Sequence, residues 1–329
     1  MLNSDSVSRK HEIGSDLERL APGAVFINAS LKQISRWRVG GTADILVRPK
    51  SLEQLCRIRA WLAIAGVRPL VIGATSNLLF ADEGLRAVCI QLGNSLANVQ
   101  IAGDMVRAES GVWVPTLVRT IMKAGLTGAE HMAGIPGTLG GLVCMNGGSQ
   151  RKAVGLAVCE VTSVSRNGEL IHREGDDCGF GYRQSVFQCN GEIIGEVVLR
   201  FEHSHDRAEV RREILSILRS RRAKFPQKQP NCGSVFKSNP TMYAEVGPPG
   251  SIIEKLGFKG IRSGGAVVSE THANFIVNDG GASAVDVLNL IKIIKAAVQK
   301  QTGYELESEV RYVRPSGEIV SADAAISEI

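Results

Sequence analysis

This chain lacks the marks of several large functional classes. No apolar run reaches the length of a membrane-spanning helix, and the opening MLNSDSVSRKHEIGSDLERL is rich in charge, so neither an anchor nor a secretory signal is expected there. Its seven cysteines (Cys56, Cys89, Cys144, Cys159, Cys178, Cys189 and Cys232) form no C-x-x-C pair. An odd count without ligand spacing fits reduced thiols in the cytoplasm, with neither a disulfide framework nor a metal site. Positive charge is barely in excess: 38 Lys and Arg oppose 33 Asp and Glu, and the net of +5 falls short of the basic stripe that duplex binding needs. A nucleic-acid partner is not expected, whereas a small anionic ligand is compatible. The patterns G-x-x-x-x-G-K-[ST] and G-x-G-x-x-G are both absent, which removes the main support for a P-loop NTPase and for a dinucleotide-binding Rossmann crevice.

Glycine, by contrast, is concentrated. Gly128 to Gly148 reads GAEHMAGIPGTLGGLVCMNGG and holds seven glycines, a density that lets backbone press against a flat or polyanionic ligand and turns amides toward phosphate oxygens. Within it, Ile135-Pro136-Gly137-Thr138-Leu139-Gly140-Gly141 combines a rigid proline, glycine turns and a hydroxyl, suited to a pyrophosphate and the edge of a ring. Two further glycine turns, Val39-Gly40-Gly41-Thr42 and Gly73-Ala74-Thr75-Ser76-Asn77, have strand-like flanks. A nucleotide-type cofactor is the expectation.

With 329 residues, 44% of them hydrophobic, the chain suits two or three domains. From Ala43 a strand is followed by a helix that Ser51 caps and Gly66 ends, then by the strand Pro69 to Gly73. This order indicates an α/β unit with its loop at a strand's carboxyl end, where open sheets bind ligands. Strands at Leu85 to Leu92 and Met105 to Ser110 precede a helix with Pro115 in its first turn and a stop at Gly125. More strands, near Val158 to Ser165, Glu169 to Arg173 and Ile193 to Phe201, lead to a basic helix, Asp206 to Lys224. Gln227 to Pro230 reads as a linker. The third unit closes on a helix capped by Ser283 and stopped by Gly303, then a last strand, Tyr304 to Val313.

Several polar residues stand in suggestive places. Gly233 before Ser234 permits a bend that aims the hydroxyl outward, making Ser234 a candidate proton donor, although a Gly-Ser turn is commonly structural. It is not a hydrolase nucleophile, since G-x-S-x-G is absent around it. Phe180-Gly181-Tyr182-Arg183-Gln184-Ser185 places a guanidinium beside an aromatic ring, where it grips a carboxylate or merely caps a turn. Glu307 and Glu309 share one face of the last strand by its two-residue period. His272, in Ser269-Glu270-Thr271-His272-Ala273-Asn274-Phe275, stands out for its polar company, which by itself leaves its role open.

In order along the chain, WRVGGTAD, the turn ending in SN-LL, AGIPGTLGG, GYRQS, NCGSVFK, IIEKLGFKG, SETHANFIVN and LESEVR resemble the UDP-N-acetylenolpyruvoylglucosamine reductase family, over roughly Ile34 to Val313. The resemblance implies an α+β architecture: a vanillyl-alcohol-oxidase-like (PCMH-type) FAD-binding fold of two α/β subdomains, then a carboxy-terminal α+β substrate domain. The boundaries it suggests are a flexible tail at 1–20, FAD-binding subdomains at 21–92 and 93–226, a substrate domain at 227–314 and a tail at 315–329. It further implies FAD as cofactor, NADPH as hydride donor and a UDP-sugar substrate, in a cytoplasmic monomer of peptidoglycan precursor synthesis. Carried over by motif, Arg183, Ser234 and Glu309 would be catalytic, with Glu307 second to Glu309. FAD would meet Gly41, Gly73, Thr75, Ser76, Asn77, Ile135, Pro136, Gly137, Thr138, Gly140, Gly141 and Asn146. Substrate would meet Tyr182, Lys224, Lys237, Asn239, Ser269 and His272.

The short connection from Arg183 to Ser234 suits the family branch without an extra substrate loop. Three departures stand out: Thr75 replaces a glycine, GGSQRKAV follows Asn146, and Phe236-Lys237-Ser238-Asn239-Pro240 is one residue longer than usual, leaving Ser238 and Asn239 as alternatives at the substrate. Two rival readings are another flavin oxidoreductase of the same cofactor fold and a non-enzymatic regulator that binds flavin or UDP-sugar.

Overall fold

The computed structural model describes residues 4–328, with side chains from residue 8 onward. The chain divides into two compact units, each discontinuous in sequence. Unit 1 takes the chain through Ile27, then Ile45–Ala74 and Val88–Arg221; unit 2 takes Asn28–Asp44, Thr75–Ala87 and the chain from Arg222 onward.

Unit 1 is built around a five-stranded antiparallel sheet in the order Leu170–Glu174, Val158–Val164, Ile193–Arg200, Met105–Glu109, Val99–Ala102. Val161, Val197 and Ala108 lie in register across its three middle strands and are essentially inaccessible. Helices Val114–Lys123 and Leu139–Cys144 bury Leu117, Val118, Ile121, Leu139 and Val143 in the same core. A second core in this unit gathers Leu55, Ile58 and Leu62 of helix Leu52–Ile64 with Ile90 of strand Leu85–Gln91. Strand Leu70–Ile72 runs parallel to Leu85–Gln91 and delivers the chain into the Gly73 turn. Ser51 caps the helix as expected, its hydroxyl accepting from the Gln54 N–H at 3.1 Å.

The amino-terminal stretch, expected to be loose, instead forms helix Ser4–Leu20. Its charge hides an apolar stripe: Ile13, Leu17 and Leu20 recur at helical spacing, and Leu17 is fully buried in the second core.

Unit 2 packs helix Ala284–Thr302 against the antiparallel strands Arg262–Ser263, Ala266–Val268 and Ile276–Asn278. A capping box starts the helix, with Ser283 and Asp286 each accepting the other's N–H. Asp82 adds a second cap from far away in sequence, both carboxylate oxygens accepting from the Ala284 N–H at 2.9 Å. Val287, Leu290, Ile291, Ile294 and Val298 recur at helical spacing and are all fully buried. Trp37 sits in the same core and donates from its indole to the Ile276 carbonyl at 2.8 Å.

Only Arg311–Val313 of the expected last strand is regular; it lies parallel to Leu78–Phe80 and antiparallel to Ile319–Ser321. Before it the chain forms no regular strand, and Ser308 makes one isolated antiparallel bridge to Phe236. After Val313 the chain forms strand Ile319–Ser321 and helix Ala322–Ile326, whose Ala322 and Ala325 enter the core.

Candidate active site

In unit 1 the Gly73 turn and the Ile135–Gly141 segment meet. A Cβ on Gly73 would stand 2.2 Å from Thr138 Oγ1, so only glycine permits this approach. Thr138 and Gly140 are in turn laid on the chain after strand Met105–Glu109: Leu139 donates to the Val112 carbonyl at 2.8 Å, Gly140 to Ser110 at 2.7 Å, and Val114 to Gly137 at 2.9 Å. A Cβ on Gly140 would come within 2.8 Å of Ser110 Cβ. Ser110 is fully buried, and its hydroxyl has no hydrogen-bond partner among the described residues. Ile135 and Pro136 are half-buried, Gly137 is buried and Gly141 is exposed.

Arg183 sits at the tip of a tight turn in the same unit. Gly181 and Gln184 exchange backbone hydrogen bonds of 3.1 and 3.2 Å, and Arg183 takes a left-handed φ of 56° between them. Such a conformation costs a non-glycine residue about 1–2 kcal/mol, so it persists only where its surroundings hold it. Several groups do. Gln188 donates to the Arg183 carbonyl (3.0 Å) and to the Cys144 carbonyl (2.9 Å), and Ser185 Oγ donates to Cys144 as well (2.6 Å). Asn146 donates from Nδ2 to the Gly181 carbonyl at 2.8 Å and accepts the Gly155 N–H at 3.0 Å. Assigned to FAD by motif, Asn146 is thus engaged in bracing the arginine turn. Tyr182 is exposed, and its ring centroid lies 5.9 Å from the Arg183 guanidinium carbon.

In unit 2, three stretches far apart in sequence converge on Ser234 and Glu309. Val235 and Lys237 lie antiparallel to Glu309 and Glu307: the Glu309 N–H donates to the Val235 carbonyl at 2.8 Å, and the Lys237 N–H to Glu307 at 2.9 Å. Asn77 joins them, its Nδ2 donating to the Glu309 carbonyl at 3.1 Å while its own carbonyl accepts from Arg311. The Cys232 thiol donates to the carbonyls of Thr75 (3.3 Å) and Leu78 (3.6 Å). Burial pushes that thiol up to about 12, so it is a neutral donor and not a nucleophile. Gly233 has φ 83°, the bend expected before Ser234, and Ser234 is half-buried. Glu307 is exposed and paired with Lys237, whereas Glu309 is half-buried, which separates the two carboxylates the sequence left together.

Thr75, the departure from glycine, keeps a glycine-like φ of 56° and is buried. Its hydroxyl accepts the Arg36 N–H and donates to the Ile34 carbonyl, both at 3.0 Å. Two such bonds at about 0.5–1.5 kcal/mol each offset the strain. Ser76 beside it is half-buried. Gly41 answers to its own backbone, since a Cβ there would stand 2.5 Å from the Asp82 carbonyl oxygen and 2.8 Å from the Gly84 nitrogen.

The remaining residues assigned to substrate are scattered over unit 2. Lys224 is exposed at the end of helix Arg207–Lys224, and Ser238 is exposed as well. Asn239 caps helix Pro240–Glu245, its oxygen accepting from Thr241 (3.0 Å) and Met242 (3.3 Å). Ser269 is buried, and its hydroxyl accepts from Thr271 and His272 N–H groups. His272 packs against Phe225 and Phe275 at centroid distances of 5.5 and 5.1 Å, and its Nδ1 accepts the Asn274 N–H at 3.2 Å.

Burial holds His272 below the usual histidine range, helped by the charge of Lys259; burial also depresses His131, a unit 1 histidine 5% exposed, with Lys152 adding to the effect. With both folded values depressed, the unfolded chain binds more protons as pH falls below about 6.5, so this stability is complete above that pH and lost progressively below it. Urea unfolding is expected to show lower stability at roughly pH 5.5 than at pH 7.5, with a shallower dependence in His272→Gln. An unchanged slope in that variant would assign the effect elsewhere.

Sequence reasoning missed the braces. Asn274 donates from Nδ2 to the Phe236 carbonyl (3.0 Å) and accepts the Phe236 N–H (2.9 Å), fixing the chain just after Ser234. Asn278 holds the Trp37 carbonyl at 2.9 Å. The one available signal was a pair of asparagines in an otherwise apolar run, Asn274-Phe275-Ile276-Val277-Asn278.

A family model described as the C-terminal domain of UDP-N-acetylenolpyruvoylglucosamine reductase matches residues 225–313, and one described as an FAD binding domain matches 43–173. The chain is 42% identical over 299 residues to UDP-N-acetylenolpyruvoylglucosamine reductase 1 of Corynebacterium glutamicum, covering 91% of this chain and 89% of that protein. It is 37% identical to the reductase of Carboxydothermus hydrogenoformans, over 92% of this chain and 98% of the relative. The crystal structure of the Thermus caldophilus reductase superposes with a TM-score of 0.74 at 31% identity, covering 88% of this chain and 97% of that one. Among the described residues no helix is long and apolar enough to cross a membrane. With its FAD-binding fold and its distinctive carboxy-terminal domain both matched, the chain belongs to the UDP-N-acetylenolpyruvoylglucosamine reductase family of FAD-dependent oxidoreductases.

Proposed function

We propose that this protein reduces UDP-N-acetylglucosamine enolpyruvate to UDP-N-acetylmuramate with NADPH, in peptidoglycan precursor synthesis, and that Arg183, Ser234 and Glu309 carry the chemistry. The observation that bears most weight is the pairing of Val235 with Glu309, which sets a serine and a carboxylate on adjoining extended chains of unit 2. Bound FAD supplies a hydride carrier between NADPH and the sugar. The residues present suit that group: Gly73 and Gly140 let the two turns pack closely on Thr138 and Ser110, and the buried Ser110 hydroxyl beside Gly140 has no hydrogen-bond partner among the described residues.

When hydride reaches C3 of the enolpyruvyl group, negative charge builds on C2 and its carboxylate. Arg183, already locked in its strained turn, neutralises that charge with little reorganisation. Ser234 gives a proton to C2, a strong enough base that an alcohol suffices as donor, and Glu309 assists as an acid. Tyr182, Lys224, Lys237, Asn239, Ser269 and His272 are the proposed substrate contacts, with Ser238 an alternative to Asn239. Residues 227–314 are assigned to substrate and 21–226 to FAD. The assigned compartment is the cytoplasm, which supplies NADPH and nucleotide sugars.

Isotope placement tests this function. In D2O with ordinary NADPH, the product should be UDP-N-acetylmuramate carrying deuterium at C2, with deuterium at C3 only as far as the carried hydrogen exchanges with solvent. In H2O with NADPH deuterated at its transferable position, label retained in the product should stand at C3 and never at C2. Absence of product, no deuterium at C2 in D2O, or NADPH-derived label at C2 contradicts the assignment.

A further inference from the structure

Ser308 is only 4% exposed although it lies between exposed Glu307 and half-buried Glu309. Its backbone N–H donates to one oxygen of Asp323 at 2.9 Å and its hydroxyl to the other at 2.8 Å. The oxygen that takes the hydroxyl also accepts from Lys295 Nζ at 2.5 Å, and Lys295 lies 3.6 Å from Glu305. Asp323 belongs to the first turn of helix Ala322–Ile326 and Lys295 to helix Ala284–Thr302, so two helices are tied to the extended chain at Ser308. From the other side, Glu309 donates to the Val235 carbonyl and receives Asn77 at its own carbonyl. The chain at Ser308 and Glu309 is therefore held on both edges, through the Ser308 N–H on one and the Glu309 N–H and carbonyl on the other, while the alternation of extended chain turns the Glu309 side chain to the face opposite Ser308.

We propose that Asp323, held by Lys295, is a positioning residue for Glu309: it fixes the backbone from which that carboxyl reaches the substrate. The proposal rests on the reading of Glu309 as the assisting acid. A carboxylate is the only side chain of this length with acceptors on both oxygens, matching the two donors of Ser308 and the ammonium of Lys295 at once. Asparagine in its place keeps one acceptor and turns an N–H toward one of those donors. A reacting group displaced by about 1 Å loses on the order of 10²-fold in rate, so partial release of this grip is expected to cost about tenfold.

The test uses FAD-loaded protein, reduced with NADPH and then mixed with UDP-N-acetylglucosamine enolpyruvate. Asp323→Asn should slow reoxidation about tenfold while leaving reduction by NADPH unchanged. On a Glu309→Gln background the same substitution should add nothing, because its effect passes through Glu309. Normal reoxidation in Asp323→Asn, or an effect that multiplies in full on Glu309→Gln, overturns the inference. Should Asp323→Asn fail to fold, Ser308→Ala, which keeps the backbone bond, carries the same cycle with the same two outcomes. Normal reoxidation in Glu309→Gln alone is a separate result: it overturns the acid role of Glu309 and the inference built on it.

Discussion

Ser234→Ala is expected to be reduced by NADPH at close to the unaltered rate and to be reoxidised by the enolpyruvyl sugar about 10²- to 10⁴-fold more slowly. The separation follows from chemistry, since reduction by NADPH draws no proton from Ser234. Ser234 lies at a glycine bend in unit 2, braced through Asn274 and through the pairing of Val235 with Glu309. Removing one hydroxyl oxygen opens little volume and touches none of those braces, so folding and FAD content should be preserved. What is lost is the proton for C2. Equal slowing of both half-reactions would contradict the role, as would normal reoxidation.

The second large effect is expected from Gly73→Ala. The new methyl would stand 2.2 Å from Thr138 Oγ1, and the nearest other atom is Thr138 Cβ at 3.4 Å. The two turns must then part or Thr138 must rotate. Overpacking of this kind costs about 1–3 kcal/mol, or roughly 5- to 150-fold in FAD affinity if FAD requires both turns at their present spacing. Because the clash is with one oxygen, adding Thr138→Ala to Gly73→Ala should recover much of the loss; Thr138→Ala alone reports what the hydroxyl itself contributes. FAD titration measures all three. Unaltered affinity in Gly73→Ala would mean that these turns do not hold the cofactor.

Local features were legible where the chemistry is local. Ser51 and Gly66 bracket a helix, Ser283 and Gly303 another, and Gly233 takes the positive φ that its place before Ser234 suggests. Even the Thr75 departure was visible as a departure, although its remedy, a hydroxyl bridging Arg36 and Ile34, depends on contacts some forty positions away. Helix Ser4–Leu20 escaped because a charged composition outweighed a three-residue apolar stripe. The stretch from Tyr304 escaped differently: its residues suit a strand, yet a strand needs a partner, and before Arg311 the partner reaches only Glu307 to Glu309, around the single bridge at Ser308. Asp82 on a helix about two hundred residues later, Asn77 on Glu309 and Asp323 on Ser308 have no local signature at all. The same holds for the way each unit is assembled from three separate stretches, which is fixed by burial and not by neighbouring residues.

The most direct test of the whole account is to follow the flavin absorbance of the purified, FAD-loaded protein through two additions. NADPH should bleach the yellow colour, and UDP-N-acetylglucosamine enolpyruvate, added once NADPH is spent, should restore it with formation of UDP-N-acetylmuramate. A protein that takes up no FAD, or a bleach that the enolpyruvyl sugar leaves in place, would contradict it.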